Sequence, residues 1–405
     1  MADTDRGNSY RWKLLFFLSV ATIFEGYDFV ALSQVLPALR LEMGLDRFQG
    51  GLLYAVINVG TIAAWFLVRK ADVWGRRRVL SITIAGYTVF TFLTGLTSDP
   101  YMFALAQLVA RTFLIGEWAL SMVYAAEEFP AHRRGLVIGA LQAMSAIGGV
   151  VCAGVTPMLL KTEYGWRSVY FVGIIPLVLL AFARTGLKES KRFEEIKNRP
   201  PSDFFAITRS PHFKRVLQLG LIWTLVYGCT NSVIAFWKDF AVNERSLTDE
   251  QVALAITIAA LVSMPMIFLA GFLLDKIGRR RGSVLIFGLS ALGVALCYTL
   301  HGQWPLTFAL IFGIFAVSAP MPVLNAYGTE LFPTHFRADA FAWANNLIGR
   351  VAYVLSPILI GWVARDAGYG PVVASTSVLL ILALGLILWL FPETAGRELE
   401  ETSAA

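Results

Sequence analysis

Five ionisable residues, Glu25, Asp28, Arg111, Glu117 and Arg350, stand inside otherwise apolar stretches of the chain. A charge at the middle of a bilayer costs roughly 2.5–3.5 kcal/mol or more, so each of the five invites a functional reading. Arginine meets a carboxylate with a planar two-pronged fork. A buried carboxylate can take up and release a proton. Together these types point to a protein that binds a small organic anion, a carboxylate, and moves a proton with it. Arg111 and Arg350 are the candidate anion ligands. Asp28 is the leading proton carrier, with Glu25 and Glu117 behind it. Glu25 and Asp28 are three apart and share a helix face. Counting along their segments puts Asp28 and Arg111 in the same half of the membrane, where they can pair. An anion that took over Arg111 would strip Asp28 of its counter-charge, and a proton would replace it. The competing use of the same residues is an Arg–Asp tie between helices.

Helical spacing extends these positions into stripes. Trp343, Asn346, Arg350 and Tyr353 fall on one face, as do Trp223, Tyr227 and Asn231, and as do Glu117, Ser121 and Tyr124. Such stripes suit a wet cavity, although large rings also serve ordinary packing. Tyr124, Trp223, Tyr227, Asn231, Trp343 and Asn346 are therefore candidate substrate-binding residues beside the two arginines.

The elements that must hold these residues are membrane helices. Of the 405 residues, 57% are hydrophobic and 15% charged, where soluble domains carry about 25% charged residues. Runs such as Val79–Leu96, Val252–Leu274 and Val372–Phe391 are long enough to cross a hydrocarbon core. Twelve spans are expected, near 14–37, 49–68, 79–97, 101–129, 134–160, 167–183, 214–240, 249–274, 282–300, 304–329, 338–364 and 370–391. The first is read as a retained span, too long for the core of a signal peptide. Lys and Arg divide 25 to 7 between the two sides, which places both termini in the cytoplasm, with a bacterial inner membrane as the expected location. The formal charge of +6 is spent at helix ends and does not suggest nucleic acid. Cys152, Cys229 and Cys297 lie apart in apolar runs, so neither a disulfide nor a metal site is expected. No nucleophile–base motif or phosphate loop supports an enzyme, and the central segment is too short for a signalling domain.

One offset organises the chain. Asp72-Val-Trp-Gly75-Arg76-Arg77-Arg78 returns as Asp275-Lys-Ile-Gly278-Arg279-Arg280-Arg281, a shift of 203 residues. Tyr124-Ala-Ala-Glu127-Glu-Phe129-Pro130 returns at the same shift as Tyr327-Gly-Thr-Glu330-Leu-Phe332-Pro333. The protein is read as a duplicated six-span unit in parallel orientation. Glu127 and Glu330 are expected to contact the basic loops.

The Asp-x-x-Gly-Arg-Arg-Arg loops resemble the signature of the major facilitator superfamily, and Gly271-Phe-Leu-Leu-Asp275-Lys-Ile-Gly278-Arg279-Arg280 carries it in full. The first copy has Val68 and Val73 where a glycine and a basic residue are usual. The resemblance implies an all-α membrane protein of twelve helices in two pseudo-symmetric six-helix bundles. These cover residues 1–183 and 214–391, with a cytoplasmic linker at 184–213 and a tail at 392–405. It also implies a conformational latch at Asp72, Gly75, Arg76, Asp275, Gly278 and Arg279. Glu25-Gly26-Tyr27-Asp28 is similar to the span-1 motif of organic-acid–proton symporters, and Pro392-Glu393-Thr394 to the tail of the sugar-porter and metabolite–proton symporter branches. The implied activity is secondary transport by alternating access, driven by a proton gradient, with no cofactor. The implied partners are a small-molecule substrate, protons and the lipid bilayer, and the implied working form is a monomer. A neutral-metabolite or sugar symporter and a drug–proton antiporter are the alternatives on the same fold.

Overall fold

The computed structural model of the protein describes residues 2–129, 131–175, 205–333 and 337–395, except for the side chains of 2–9, 72–73, 126, 131–136, 275, 329 and 337–338. Helices α1 (Ala2–Met43), α2 (Arg47–Trp74), α3 (Arg76–Gly95), α4 (Pro100–Glu128) and α5 (Ala131–Leu160) are followed by the short α6 (Arg167–Phe171). Then come α7 (Phe213–Asn243), α8 (Asp249–Ile277), α9 (Arg279–Thr299), α10 (Gln303–Ser318) and α11 (Pro320–Glu330). The last part of the chain runs α12 (Arg337–Phe341), a π-helical turn (Ala342–Gly349), α13 (Val351–Ala367), α14 (Tyr369–Ser375) and α15 (Ser377–Leu390). Among the described residues, 11 segments are long and apolar enough to cross a membrane. The expected sixth span opens with α6 and a 3₁₀ turn (Val172–Ile174), and its course from residue 176 lies outside the described residues, as does most of the 184–213 linker.

Ends are set by ordinary caps. Asp99 accepts the Met102 N–H at 3.0 Å ahead of Pro100, and Thr248 and Gln251 form a capping box at the start of α8. Gly75 and Gly278 have φ of 94° and 96°, a region in which only glycine sits without strain. They allow α2 to pass directly into α3, and α8 into α9.

The chain forms two compact units, one of residues 1–43 and 56–201, the other of residues 44–55 and 202–405. The sequence reading put 44–55 with the first bundle. Its clustering with the second unit has a local cause. Arg47 pairs with Glu244 at 3.1 Å, and Asp46 with Arg365 at 3.0 Å. Asp46 is held below the usual carboxylate range by the backbone N–H of Gln49 and by Arg365, a gain that outweighs its slight burial.

In the first unit α1 packs chiefly on α5, and α3 on α4. The α1–α5 contact is backbone to backbone: a Cβ added at Gly26 would stand 1.9 Å from the Ser145 carbonyl oxygen, and one at Gly148 1.9 Å from that of Ile23. Small residues let membrane helices approach this closely.

In the second unit α7 packs along the π turn and α13, and α10 packs on both α8 and α9. The 203-residue repeat reappears here as geometry. In the first unit Arg76 pairs with Glu127 at 3.4 Å and donates to the Ala71 carbonyl at 2.8 Å. In the second, Arg279 pairs with Glu330 at 2.8 Å and donates to the Leu274 carbonyl at 3.2 Å. Every partner is displaced by the same offset. The side chains of Asp72 and Asp275 lie outside the described residues.

The second copy has an addition. Glu393 accepts the backbone N–H groups of Arg279 at 2.7 Å and Arg280 at 2.9 Å, and Thr394 donates to Glu330. Burial opposes the charge on Glu393, but the N–H groups of Arg280, Ala395, Arg279 and Thr394 outweigh it and hold the carboxyl below the usual range.

Candidate functional site

In the first unit, the approach of α1 to α5 delivers Ser145 to Glu25, whose carboxylate accepts the serine hydroxyl at 2.7 Å. One turn on, Asp28 accepts the Thr91 hydroxyl from α3 at 3.0 Å. Both acids are buried. Among the described residues the Asp28 Oδ1 atom has no hydrogen-bond partner, and neither has Glu117 Oε2 on α4. The other Glu117 oxygen accepts the Ser121 hydroxyl at 2.6 Å, one turn along the same helix.

Arg111, also on α4, is 4% exposed, and its guanidinium lies over the Phe29 ring at 4.7 Å. It acts electrostatically on both Glu25 and Asp28, and Glu25 in turn acts on Glu117. The first unit therefore brings together all four of the ionisable residues singled out in that half. A carboxylate oxygen buried without a donor is expensive to keep charged. Arg111 and three hydroxyls supply part of the compensation, and a proton can supply the rest. Tyr124, one turn past Ser121 on α4, is fully buried in a cluster with Leu80, Tyr87, Leu120 and Leu141.

The second unit assembles a different surface around Arg350. Trp223 stacks on Tyr227 with ring centres 5.0 Å apart, Tyr227 meets Tyr353 at 4.7 Å, and the Arg350 guanidinium lies 5.8 Å from the Tyr353 ring centre. The Asn231 Nδ2 and Trp223 Nε1 groups are buried donors without a hydrogen-bond partner among the described residues. Trp343 is directed elsewhere, against Phe205 and Phe213, each at 6.0 Å.

The π turn explains that departure. It holds more residues per turn than an α-helix, so a stripe counted at 3.6 residues per turn slips across it. Its last bond runs from the Arg350 N–H to the Asn345 carbonyl at 3.2 Å, five residues back. The turn is supported from α7. Thr224 donates to the Ile348 carbonyl at 3.2 Å, and Gly349 is pressed so near Trp223 that a Cβ there would sit 2.7 Å from the Trp223 Cβ.

As a result Asn345, which the spacing had passed over, is the amide that accepts the Tyr227 hydroxyl, at 2.7 Å. Asn346 makes no side-chain hydrogen bond among the described residues. The paired asparagines before Gly349-Arg350 were the visible signal, but nothing in the spacing tells which of the two is turned to α7. Tyr227→Phe is expected to remove this tie at a cost of about 1 kcal/mol, since the buried amide oxygen loses its donor. Paired thermal melts of the Tyr227→Phe and Asn345→Ala variants and of the double variant check it. Additive losses in that cycle would show that the two residues do not act together.

Comparison with known proteins gives a consistent picture. The sequence description of the Major Facilitator Superfamily matches residues 18–240 and 221–405. The sialic acid transporter NanX of Escherichia coli is 25% identical over 92% of this chain and 93% of its own length. The cis,cis-muconate transport protein of Acinetobacter baylyi is 26% identical over 90% of this chain and 91% of its own length. Among solved structures, the xylose transporter XylE from E. coli in its inward open conformation superposes with a TM-score of 0.72, at 19% identity, over 97% of this chain and 99% of that one.

Proposed function

The chain belongs to the Major Facilitator Superfamily and is a multi-pass membrane transporter; from that premise we propose that it carries a small organic anion, a carboxylate, in symport with protons by alternating access. The observation that carries this reading is the grouping in the first unit of one arginine with three buried carboxylates, two of which keep an oxygen without a hydrogen-bond donor among the described residues. Arg111 and Arg350 are the proposed anion ligands. Asp28 is the leading proton carrier, with Glu25 and Glu117 as further acceptors. A carboxylate that engages Arg111 draws the cation away from Asp28, and a proton then neutralises the aspartate. Anion and proton cross together, with less charge to carry through the bilayer than either would bring alone. Tyr227 and Asn345 order the Arg350 surface, and Trp223 and Asn231 present N–H donors to the ligand. The relatives named for sialic acid and cis,cis-muconate support a carboxylate in particular. The proposed setting is a bacterial inner membrane with both termini in the cytoplasm.

The test is uptake of labelled cis,cis-muconate and other carboxylates into proteoliposomes under an imposed pH gradient. Wild type is expected to accumulate its anion when the interior is alkaline. Asp28→Asn is expected to lose gradient-driven accumulation and to retain anion exchange. Transport that ignores the gradient in both proteins would end the symport reading.

A further inference from the structure

Away from the buried acids and from Arg350, the junction of α8 and α9 borders an open cavity of about 710 Å³. Lys276, Arg280 and Arg281 line it on one side, and Val284 and Leu388 form part of its apolar wall. The three consecutive arginines divide their work. Arg279 turns to Glu330, and Arg280 gives an N–H to the Leu388 carbonyl. Arg281 has no carboxylate partner among the described residues, and the Lys276 ammonium rests over the Phe272 ring at 6.0 Å.

Among the described residues the one acid on the cavity is Glu393, which is already engaged by the N–H groups of Arg279, Arg280 and Ala395. The cavity thus keeps a surplus of positive charge. The same helices then present apolar surface: Val284 is 48% exposed, Phe272 62% and Trp389 81%. They belong to segments that are long and apolar enough to cross a membrane. A ligand matched to both features has an anionic head and a hydrocarbon tail. Basic pockets at the ends of membrane helices take such headgroups.

We propose that this cavity binds the phosphate headgroup of an anionic glycerophospholipid, with an acyl chain lying along Val284 and Leu388. The apolar wall is what selects a lipid over free phosphate, since inorganic phosphate has nothing to place there. The lipid would be held beside Gly278 and Arg279, so its occupancy bears on the loop that joins α8 to α9.

Native mass spectrometry of the detergent-purified full chain, titrated with phosphatidylglycerol or phosphatidylcholine, tests this. Each basic residue at an anionic surface contributes about fivefold to binding. The double variant K276Q/R281Q is therefore expected to retain phosphatidylglycerol roughly 25-fold less well, and K276R/R281K to retain it as wild type does. Phosphatidylcholine should bind weakly to all three, and excess inorganic phosphate should leave the bound phosphatidylglycerol in place. Equal retention of phosphatidylglycerol by K276Q/R281Q and wild type overturns the proposal, as does equal retention of the two lipids by wild type. Displacement by inorganic phosphate overturns the lipid and assigns the cavity to a free anion. Should K276Q/R281Q fail to fold, K276Q alone reads the same effect at about fivefold. The readout is lipid occupancy, so it stands or falls separately from the transported substrate.

Discussion

Replacing Arg111 with glutamine is expected to lower carboxylate uptake a hundredfold or more. Its guanidinium is almost fully buried and acts on two buried acids. Removing one member of a buried charged group costs about 3–5 kcal/mol, because the remaining charges lose their compensation. Each 1.4 kcal/mol is a factor of ten. In Arg111→Gln the acids can regain neutrality only by keeping protons, and the proposed anion would lose its fork at the same time. Both losses act on the transport cycle. Arg111→Lys retains the charge and loses the two-pronged geometry, so its uptake should fall between wild type and Arg111→Gln. Initial rates for a panel of labelled carboxylates, measured with equal amounts of reconstituted protein, order the three. A glutamine variant that transports as well as wild type would remove Arg111 from the site.

The second large effect concerns packing rather than charge. Gly148→Ala places a methyl group 1.9 Å from the Ile23 carbonyl oxygen, and backbone cannot swing aside as a side chain would. Either α1 moves or α5 does. Overpacking of this kind costs typically about 1–3 kcal/mol and can cost more. Gly154→Ala, on the same helix, meets nothing within 4 Å among the described residues. The pair is thus one chemical change made twice, with and without a clash. Gly148→Ala should melt several degrees lower in detergent, while Gly154→Ala melts with wild type. The displacement would also pull Ser145 from Glu25, so uptake by Gly148→Ala should fall below what its folded fraction accounts for. Matching melting temperatures for the two variants would mean that α1 and α5 are not in close contact.

Much of this organisation was legible in the residues. The apolar runs announced the spans because a bilayer demands internally bonded backbone and apolar flanks. The repeated Asp-x-x-Gly-Arg-Arg-Arg and Glu-x-Phe-Pro segments announced two related halves, and the Arg76–Glu127 and Arg279–Glu330 pairs are what those segments build. Intramembrane charge is costly enough that Glu25, Asp28, Arg111, Glu117 and Arg350 could be singled out one by one.

The partners could not. Ser145 and Thr91 are unremarkable hydroxyls among many, and what recruits them is the contact of α1 with α5 and α3. The second-unit stripe was hard to count for a different reason. Counting assumes a constant number of residues per turn, and the π turn breaks that assumption just before Arg350, so Asn345 rather than Asn346 meets Tyr227. Residues 44–55 show the limit for domain boundaries. They belong to the first repeat by sequence and cluster with the second unit through Arg47, Asp46 and their partners.

The carboxylate of Glu393 lies beyond the last span, in what a hydropathy plot would discard as an appendage. Yet it closes the start of α9, and its neighbour Thr394 reaches Glu330. Fusion partners and affinity handles therefore belong after Ala395. A junction cut at Phe391 would leave two amide hydrogens of α9 without their acceptor and would loosen an arginine–glutamate bond on a helix far away in sequence.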